Sequence, residues 1–377
     1  MAPTELHRPT PEQFLSLIRR QARGRLKVYL GSAAGVGKTY AMLREGHRLK
    51  AQGVDVVIGL VETHGRVETQ QQIGDLEVIP PRVIEYRGVT LREMDLDAVL
   101  ARRPTVCLVD ELAHTNAPGS RHAKRYQDVE DLLHAGIHVI TTVNVQHLES
   151  LYDEIERATN VRVKERLPDR VLGEADQIVN VDISVEDLIE RLNTGKVYPP
   201  ERINTALENF FRPQNLTRLR EITLTEIAHL IDRRTRRAQA DQYPLSATDR
   251  VMVGLSSRSP NAPALLRKTA RLADRLNAPW YAVYIQIPAE DLTRIDAATQ
   301  RLISKHLELA QQLGGVPMTF RGPDVANTIL AFAREYAIKV IVVGKSQQPW
   351  YKRLWGNSIL ERLERHSEGI DILIADV

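Results

Sequence analysis

The chain has one cysteine, Cys107, among its 377 residues, and aromatic residues make up only 5% of it. A single thiol cannot build a disulfide framework, so the fold must rest on its core, as expected in a reducing cytosol. Two-cysteine redox chemistry is excluded on the same ground. His64, His114, His122 and His147 have neither cysteine partners nor ligand spacing, which argues against zinc. No apolar run approaches the ~18 residues that a membrane-crossing helix requires, and the first residues contain no apolar signal core. The formal net charge is only +3, too weak a bias to demand nucleic acid or a membrane as partner. No Gly-x-Ser-x-Gly elbow occurs either.

What is present is a glycine-rich loop in a strand–loop–helix context. The apolar run Leu26–Leu30 leads into Gly31, Ser32, Ala33, Ala34, Gly35, Val36, Gly37, Lys38, Thr39 and Tyr40. Glycines let backbone N–H groups turn onto a polyphosphate, and the following helix directs its positive end at the same charge. In such a P-loop Lys38 reaches the terminal phosphates of ATP and the Thr39 hydroxyl binds Mg²⁺. The strict pattern has glycine six residues before the lysine. Ser32 stands there, with Gly31 displaced by one. Ser32–Tyr40 are the candidate ATP-binding residues.

A second run, Thr105–Leu112, is too continuously apolar for a one-faced strand and reads as a buried parallel strand. Asp110 falls at its carboxyl end, where open α/β sheets place ligand-binding groups. It is the candidate Mg²⁺ carboxylate beside Thr39, and Glu111 is the candidate for orienting an attacking water. Glu62 and Arg66 follow the second strand and should emerge on the same sheet edge. The donor-rich segment after Asp110 adds Arg121 and Arg125, so Arg66, Arg121 and Arg125 are candidate phosphate sensors.

Alternating apolar runs and helical periods predict an α/β protein with parallel sheets. Strands are expected at Leu26–Leu30, Val54–Val61, Val83–Tyr86, Val106–Asp110, His138–Val143 and Gln177–Val181, with helices starting near Lys38, Thr90, Arg121 and Gln146. Ser184, three residues before Asp187, reads as a helix cap and Gly195 as its terminator. The expected organisation is an arm over 1–24, a P-loop nucleotide-binding domain over 25–198, a helical connector and linker over 199–248, and a doubly wound domain over 249–377. Five strands in the last domain (Arg250–Leu255, Trp280–Gln286, Val316–Phe320, Lys339–Val343 and Asp371–Ala375) alternate with four helices. The basic run Arg233–Arg237 closes the connector as a solvated helix end.

Residues ~20–235 resemble the N-terminal cytoplasmic domain of the KdpD family of potassium-regulating sensor kinases. The likeness rests on 31–39, on Val-Glu-Thr-His-Gly-Arg at 61–66 and on the segment 109–122. It continues through 143–150 and Asn-Phe-Phe-Arg at 209–212. The displaced glycine is typical of that family. Residues ~249–377 resemble the universal stress protein domain that follows in it. Many such domains bind ATP through Gly-x-x-Gly, nine residues, then Gly-Ser; here Gly344 and Ser358 fit, while Gln347 and Asn357 replace two glycines, which argues against ATP. Some members of the sensor family bind cyclic di-AMP through Ser-x-Ser, twenty residues, then an aromatic-Thr-Ala-x-Tyr segment. Ser257, Arg258 and Ser259, then Trp280, Ala282 and Tyr284, keep that spacing with Trp and Tyr for Phe and Thr, alongside a plain strand-and-loop alternative.

The resemblance implies an ATP-binding cytoplasmic sensory module of a two-component system controlling potassium uptake. A separate or fused histidine kinase and its response regulator would read it. Full-length sensors continue into membrane helices and a kinase core. No phosphoacceptor motif stands out here, and His366 reads as a helix-end cation, so histidine autophosphorylation by this chain is not expected. It is either a naturally short form or the sensory half of a longer protein. Two alternatives stay open: an ATPase or phosphotransferase with Glu111 as base, and a nucleic-acid binder using Arg233–Arg237, against which the weak net charge argues.

Overall fold

The computed structural model describes residues 23–240, 249–257, 259, 261–276, 278–290, 296–345, 359–367 and 369–376, with the backbone alone for 232–240 and 289. They form two compact units. The first comprises residues 23–147, Ile155–Leu167 and Glu174–Thr225; the second comprises Leu148–Glu154, Pro168–Gly173 and 226–376.

In the first unit the strands are β1 (Leu26–Gly31), β2 (Val56–Leu60), β3 (Glu77–Val78), β4 (Arg82–Tyr86), β5 (Val89–Glu93), β6 (Val106–Val109), β7 (His138–Asn144) and β8 (Gln177–Val181). Six of them make a parallel sheet in the order β3-β2-β6-β7-β1-β8. β2 and β6 are buried at every position, which a strand tolerates only when both sheet faces are covered. One cover is the helix Lys38–Ala51, whose Met42 and Leu43 join Tyr29, Ile58, Leu108 and Ile140 in a common core. Register pairs Gly31 with Asn144 across β1–β7 and Val109 with Thr141 across β6–β7. The glycine-rich loop and Asp110 therefore leave the same sheet edge.

The expected strand at Val83–Tyr86 lies outside this sheet, and the helix expected near Thr90 is absent. Residues 82–93 instead form the antiparallel hairpin β4–β5. The two residues at its tip, Arg87 (φ 51°) and Gly88 (φ 78°), both take the left-handed conformation that a type I′ hairpin turn needs. The next helix starts at Leu96, where the Asp95 carboxylate accepts the N–H of Ala98 at 2.9 Å. The helix expected near Arg121 begins at Arg125, and Tyr152–Thr159 follows two short 3₁₀ turns after Gln146. Ser184 caps Val185–Asn193 as expected, accepting from Asp187 N–H at 3.0 Å, and Gly195 has φ 72° just past its end. Residues 238–240, expected in the linker, continue the helix Pro213–Ala240.

In the second unit β9 (Arg250–Leu255), β10 (Trp280–Gln286), β11 (Val316–Arg321), β12 (Ile338–Gly344) and β13 (Asp371–Ala375) form a parallel sheet in the order β11-β10-β9-β12-β13. Side chains alternate between faces. Val251, Val253, Ala282 and Tyr284 pack on one side, and Met252, Val283 and Ile285 on the other. Helices Ala262–Arg275 and Ala297–Gln312 supply the first core, Val325–Glu335 and Ile359–His366 the second. Among the described residues no helix is long and apolar enough to cross a membrane.

Cys107 sits in mid-β6, wholly buried, and burial pushes its thiol up to about 12. Only a thiolate reacts readily with aromatic disulfides. Native chain should therefore stay unlabelled by such a reagent at pH 8 and label fully in denaturant. Prompt labelling of native chain would mean that the first sheet opens.

Candidate functional site

The loop after β1 is shaped by two glycines. At Gly31 a Cβ would lie 2.6 Å from the Val36 side chain, so the chain can fold back on itself only without one. Gly35 has φ 89°, and a Cβ there would also strike Val197 at 2.5 Å. Ser32 is not among the residues of positive φ, so a serine serves at the position where the strict pattern has glycine. Lys38, 9% exposed, folds its ammonium back to donate to the Ala33 carbonyl at 2.9 Å. Burial lowers its pKa to about 8 against the pull of Asp110.

Asp110, 1% exposed, gathers donors from several loops. Thr39 Oγ1 donates to its Oδ2 at 3.0 Å and the Glu62 N–H at 3.3 Å. The Glu111 N–H donates to Oδ1 at 3.2 Å, and Thr142 Oγ1 also donates to Oδ1. Burial raises the Asp110 carboxyl above its ordinary range, and the Thr142 hydrogen bond opposes the shift. Next to it Glu111 has φ 55° and faces His64 with φ 50°; His64 Nε2 lies 2.9 Å from Glu111 Oε1. Burial acts to raise the Glu111 carboxyl, but the hydrogen bond and charge of His64 hold it below its ordinary value. The same bond raises the pKa of His64.

A cavity of about 1000 Å³ opens here, lined by Ala34–Tyr40, Arg66, Asp110, Glu111, Arg191 and Lys196 among others. Of the three candidate sensors only Arg66 lines it, donating to the Val197 carbonyl at 3.2 and 3.3 Å. Arg121 is taken up by Asp97 (3.2 Å) and Asp131 (3.6 Å). Arg125 is fully buried and ties the Asp110 carbonyl (3.0 Å) to Glu93 (3.2 Å), a structural clasp behind the cavity. Ser32 and Ala33 form the base of the loop and do not reach the lining. Sequence reasoning missed Thr142, Glu165, Arg191 and Lys196. Arg191 carried a readable signal, because it stands three residues after Leu188 and so shares its helix face.

Among the described residues no cluster of three His, Cys, Asp or Glu could hold a metal by itself. Thr39 and Asp110 are nevertheless hard oxygen donors in hydrogen-bond contact, the type of group that a Mg²⁺ ion takes as ligand.

In the second unit Ser257 Oγ and the Tyr284 hydroxyl (2.9 Å) both donate to the carboxylate of Glu290. The two hydroxyls thus converge on an anion that belongs to the chain. Trp280 is 5% exposed and Ala282 fully buried, both inside the core, where the Trp280 ring packs against Gly315. The structure brings Ser257 and Tyr284 together and leaves Trp280 elsewhere. Ser259 is partly buried, and Arg258, Gln347, Asn357 and Ser358 lie outside the described residues.

These features define a two-unit parallel α/β protein, with a glycine-rich βα loop set against a strand-end aspartate in the first unit. Residues 22–231 match the family described as osmosensitive K⁺ channel His kinase sensor domain, and 247–374 match the universal stress protein family. The chain is 43% identical over 98% of its length to the sensor protein KdpD of Escherichia coli K12. It is 45% identical over 96% to that of Mycobacterium tuberculosis CDC 1551. It spans about two-fifths of those proteins, 41% and 42%. A Synechocystis sp. protein carrying the KdpD sensor name is 43% identical over 93% of this chain and 94% of its own length. The chain belongs to the KdpD sensor family. Its second unit is similar to a solved universal stress protein in complex with cAMP, at 20% identity and TM-score 0.28 over 35% of this chain and 98% of that one.

The depressed pKa of Lys38 is a stability statement. Between about pH 8 and the ordinary value of 10.5 the unfolded chain holds this proton and the folded chain does not. Stability of the first unit should therefore rise with pH across that window. Lys38→Met should remove that rise and stabilise the unit at pH 7, on the order of 2 kcal/mol. Denaturant titration read through Cys107 labelling isolates the first unit; equal pH slopes in both proteins would refute the assignment.

Proposed function

We propose that the first unit binds ATP with Mg²⁺ and that the chain is a cytoplasmic regulatory module of a two-component system controlling potassium uptake. In this reading its nucleotide state is conveyed to a histidine kinase, separate or fused, and through it to a response regulator. The observation that carries the reading is the meeting of Lys38, Thr39 and Asp110 at one sheet edge over an open cavity. Bound Mg²⁺ would neutralise phosphate charge there. Lys38 would exchange the Ala33 carbonyl for phosphate oxygens, the backbone N–H groups of Gly35–Lys38 would cradle them, and Thr39 and Asp110 would hold the cation. A buried ammonium gains most from such a partner, because its own burial is otherwise poorly compensated.

A second reading, phosphoryl transfer or ATP hydrolysis, is favoured by one observation. Glu111 is ionised, strained and aimed at the cavity by His64. Such a carboxylate can orient a hydroxyl or water for attack. Turnover separates the two readings: it should be absent or slow in a regulator, and lost in Glu111→Gln in an enzyme.

ATP binding is tested by calorimetry on the whole chain. Wild type should bind MgATP, and Lys38→Ala should lose at least about tenfold in affinity. Equal affinities would overturn the reading. For the second unit we propose that cyclic di-AMP can enter only by displacing the Glu290 carboxylate from Ser257 and Tyr284. Glu290→Ala should then tighten its binding by about tenfold; weakened or unchanged binding would remove it as a ligand of this site.

A further inference from the structure

Three guanidinium groups line the cavity, Arg44, Arg66 and Arg191, and none forms an ion pair with a carboxylate among the described residues; of the three, Arg191 is the one bonded to the glycine-rich loop. Lys196, also in the lining, is paired with Glu68 at 2.8 Å; Arg121 is held by Asp97, and buried Arg125 is held by Glu93 and stands 4.0 Å from Glu111 without itself lining the cavity. Arg191 comes from the helix Val185–Asn193, well removed in sequence from the glycine-rich loop. Its Nη1 donates to the Gly35 carbonyl at 3.2 Å and lies 3.6 Å from where a Cβ on Gly37 would be. The guanidinium is thus laid along the loop itself.

That placement is fixed by packing. Leu188 and Leu192 of the same helix, together with Val197, share a buried cluster with Ala33 and Val36 of the loop. Arg191 is three residues after Leu188, so it stands beside the face pressed on the loop. A backbone carbonyl uses one of five guanidinium N–H groups and none of the charge. Arginine presents a planar fork matched to phosphate oxygens, and a phosphate adds bidentate geometry and an opposite charge that a carbonyl lacks.

We propose that Arg191 is a phosphate-contacting residue of this cavity, supplied by the helix Val185–Asn193 and taking phosphate charge of a nucleoside polyphosphate. It rests on the nucleotide reading above. On binding, the guanidinium keeps or exchanges its bond to the Gly35 carbonyl and directs its remaining N–H groups at phosphate oxygens. The first unit thus contacts one ligand from both ends of its sequence: Lys38 near the start and Arg191 near the close.

The test is calorimetry of the full chain with MgATP, at low and high salt, for wild type, Lys38→Ala, Arg191→Gln and Arg191→Lys. Glutamine keeps an N–H donor for the Gly35 carbonyl but no charge, and lysine keeps charge without the fork. Arg191→Gln should bind about tenfold more weakly and with a shallower salt dependence, and Arg191→Lys should fall between it and wild type. Wild-type affinity in Arg191→Gln, or weaker binding with an unchanged salt slope, would show a merely structural role and overturn the proposal. A wild-type chain that binds no MgATP, or binds it no better than Lys38→Ala, removes the nucleotide reading and this inference with it. If only Arg191→Gln fails its expectation, the nucleotide reading stands.

Discussion

The first unit is organised around one buried carboxylate. An ionised carboxylate taken from water is tolerated only when hydrogen bonds and charge replace its hydration. Asp110 draws those donors from four places: the start of the helix Lys38–Ala51, the turn after β2, its own successor Glu111 and the interior of β7. The donors come from two other βα connections, from the one Asp110 itself opens and from a neighbouring strand, so satisfying one side chain sets the relative position of all of them. The requirement propagates backwards as well. Arg125 ties down the Asp110 carbonyl, and being fully buried it needs Glu93. Glu93 in turn holds His114 at 3.2 Å, and His114 faces Glu165 at 3.4 Å. Burial works against a charged His114, but these two carboxylates raise its pKa to about 9, and Glu165, despite its own burial, is held down to about 2.

This chain of alternating charges explains where sequence reasoning succeeded and where it failed. Strands β1, β6, β9, β10 and β13 were legible because an apolar run bounded by turn residues has few other uses. Lys38, Thr39 and Asp110 were legible because a loop motif and a strand end predict a shared sheet edge. The hairpin at 82–93 was not, since its alternation is weak and its turn is opened by Arg87, an uncommon residue at positive φ. Arg121 and Arg125 show a different limit. Sequence places basic residues after Asp110 but does not show whether their partners are ligand or protein. Asp97 and Glu93 decide that for Arg121 and Arg125, and they lie 24 and 32 residues away in sequence. Trp280 follows the same logic, because the residues it packs against, Gly315 among them, are far away in sequence.

Strain tells something that contacts alone do not. Among the described residues few other than glycine have positive φ, and two of them, His64 and Glu111, face each other across the cavity. Each costs on the order of 1 kcal/mol or more and persists only where its surroundings over-determine it. For Glu111 the surroundings are visible: its N–H is shared between Asp110 Oδ1 and Thr142 Oγ1, both at 3.2 Å. The backbone twist that keeps the Asp110 carboxylate satisfied also turns the next side chain outward. A carboxylate is delivered to the cavity as a by-product of solvating another.

The loop that would cradle phosphates is not free to adjust by itself. Ala33 and Val36 are buried in one cluster with Leu188, Leu192, Val197, Phe211 and Leu216. Tyr198 and Phe210 meet Phe211 edge-on at 5.6 and 5.4 Å. Interiors packed at crystal-like density transmit displacement rather than absorbing it. Leu216 lies in the first turn of the helix Pro213–Ala240. Any shift of the loop on taking up an anion must therefore be met by the helices Val185–Asn193, Pro200–Glu208 and the start of Pro213–Ala240 moving with it, or be resisted by them. An anion that favoured one position of the loop would thereby favour one position of these helices, which is the physical requirement for a ligand to act as a signal.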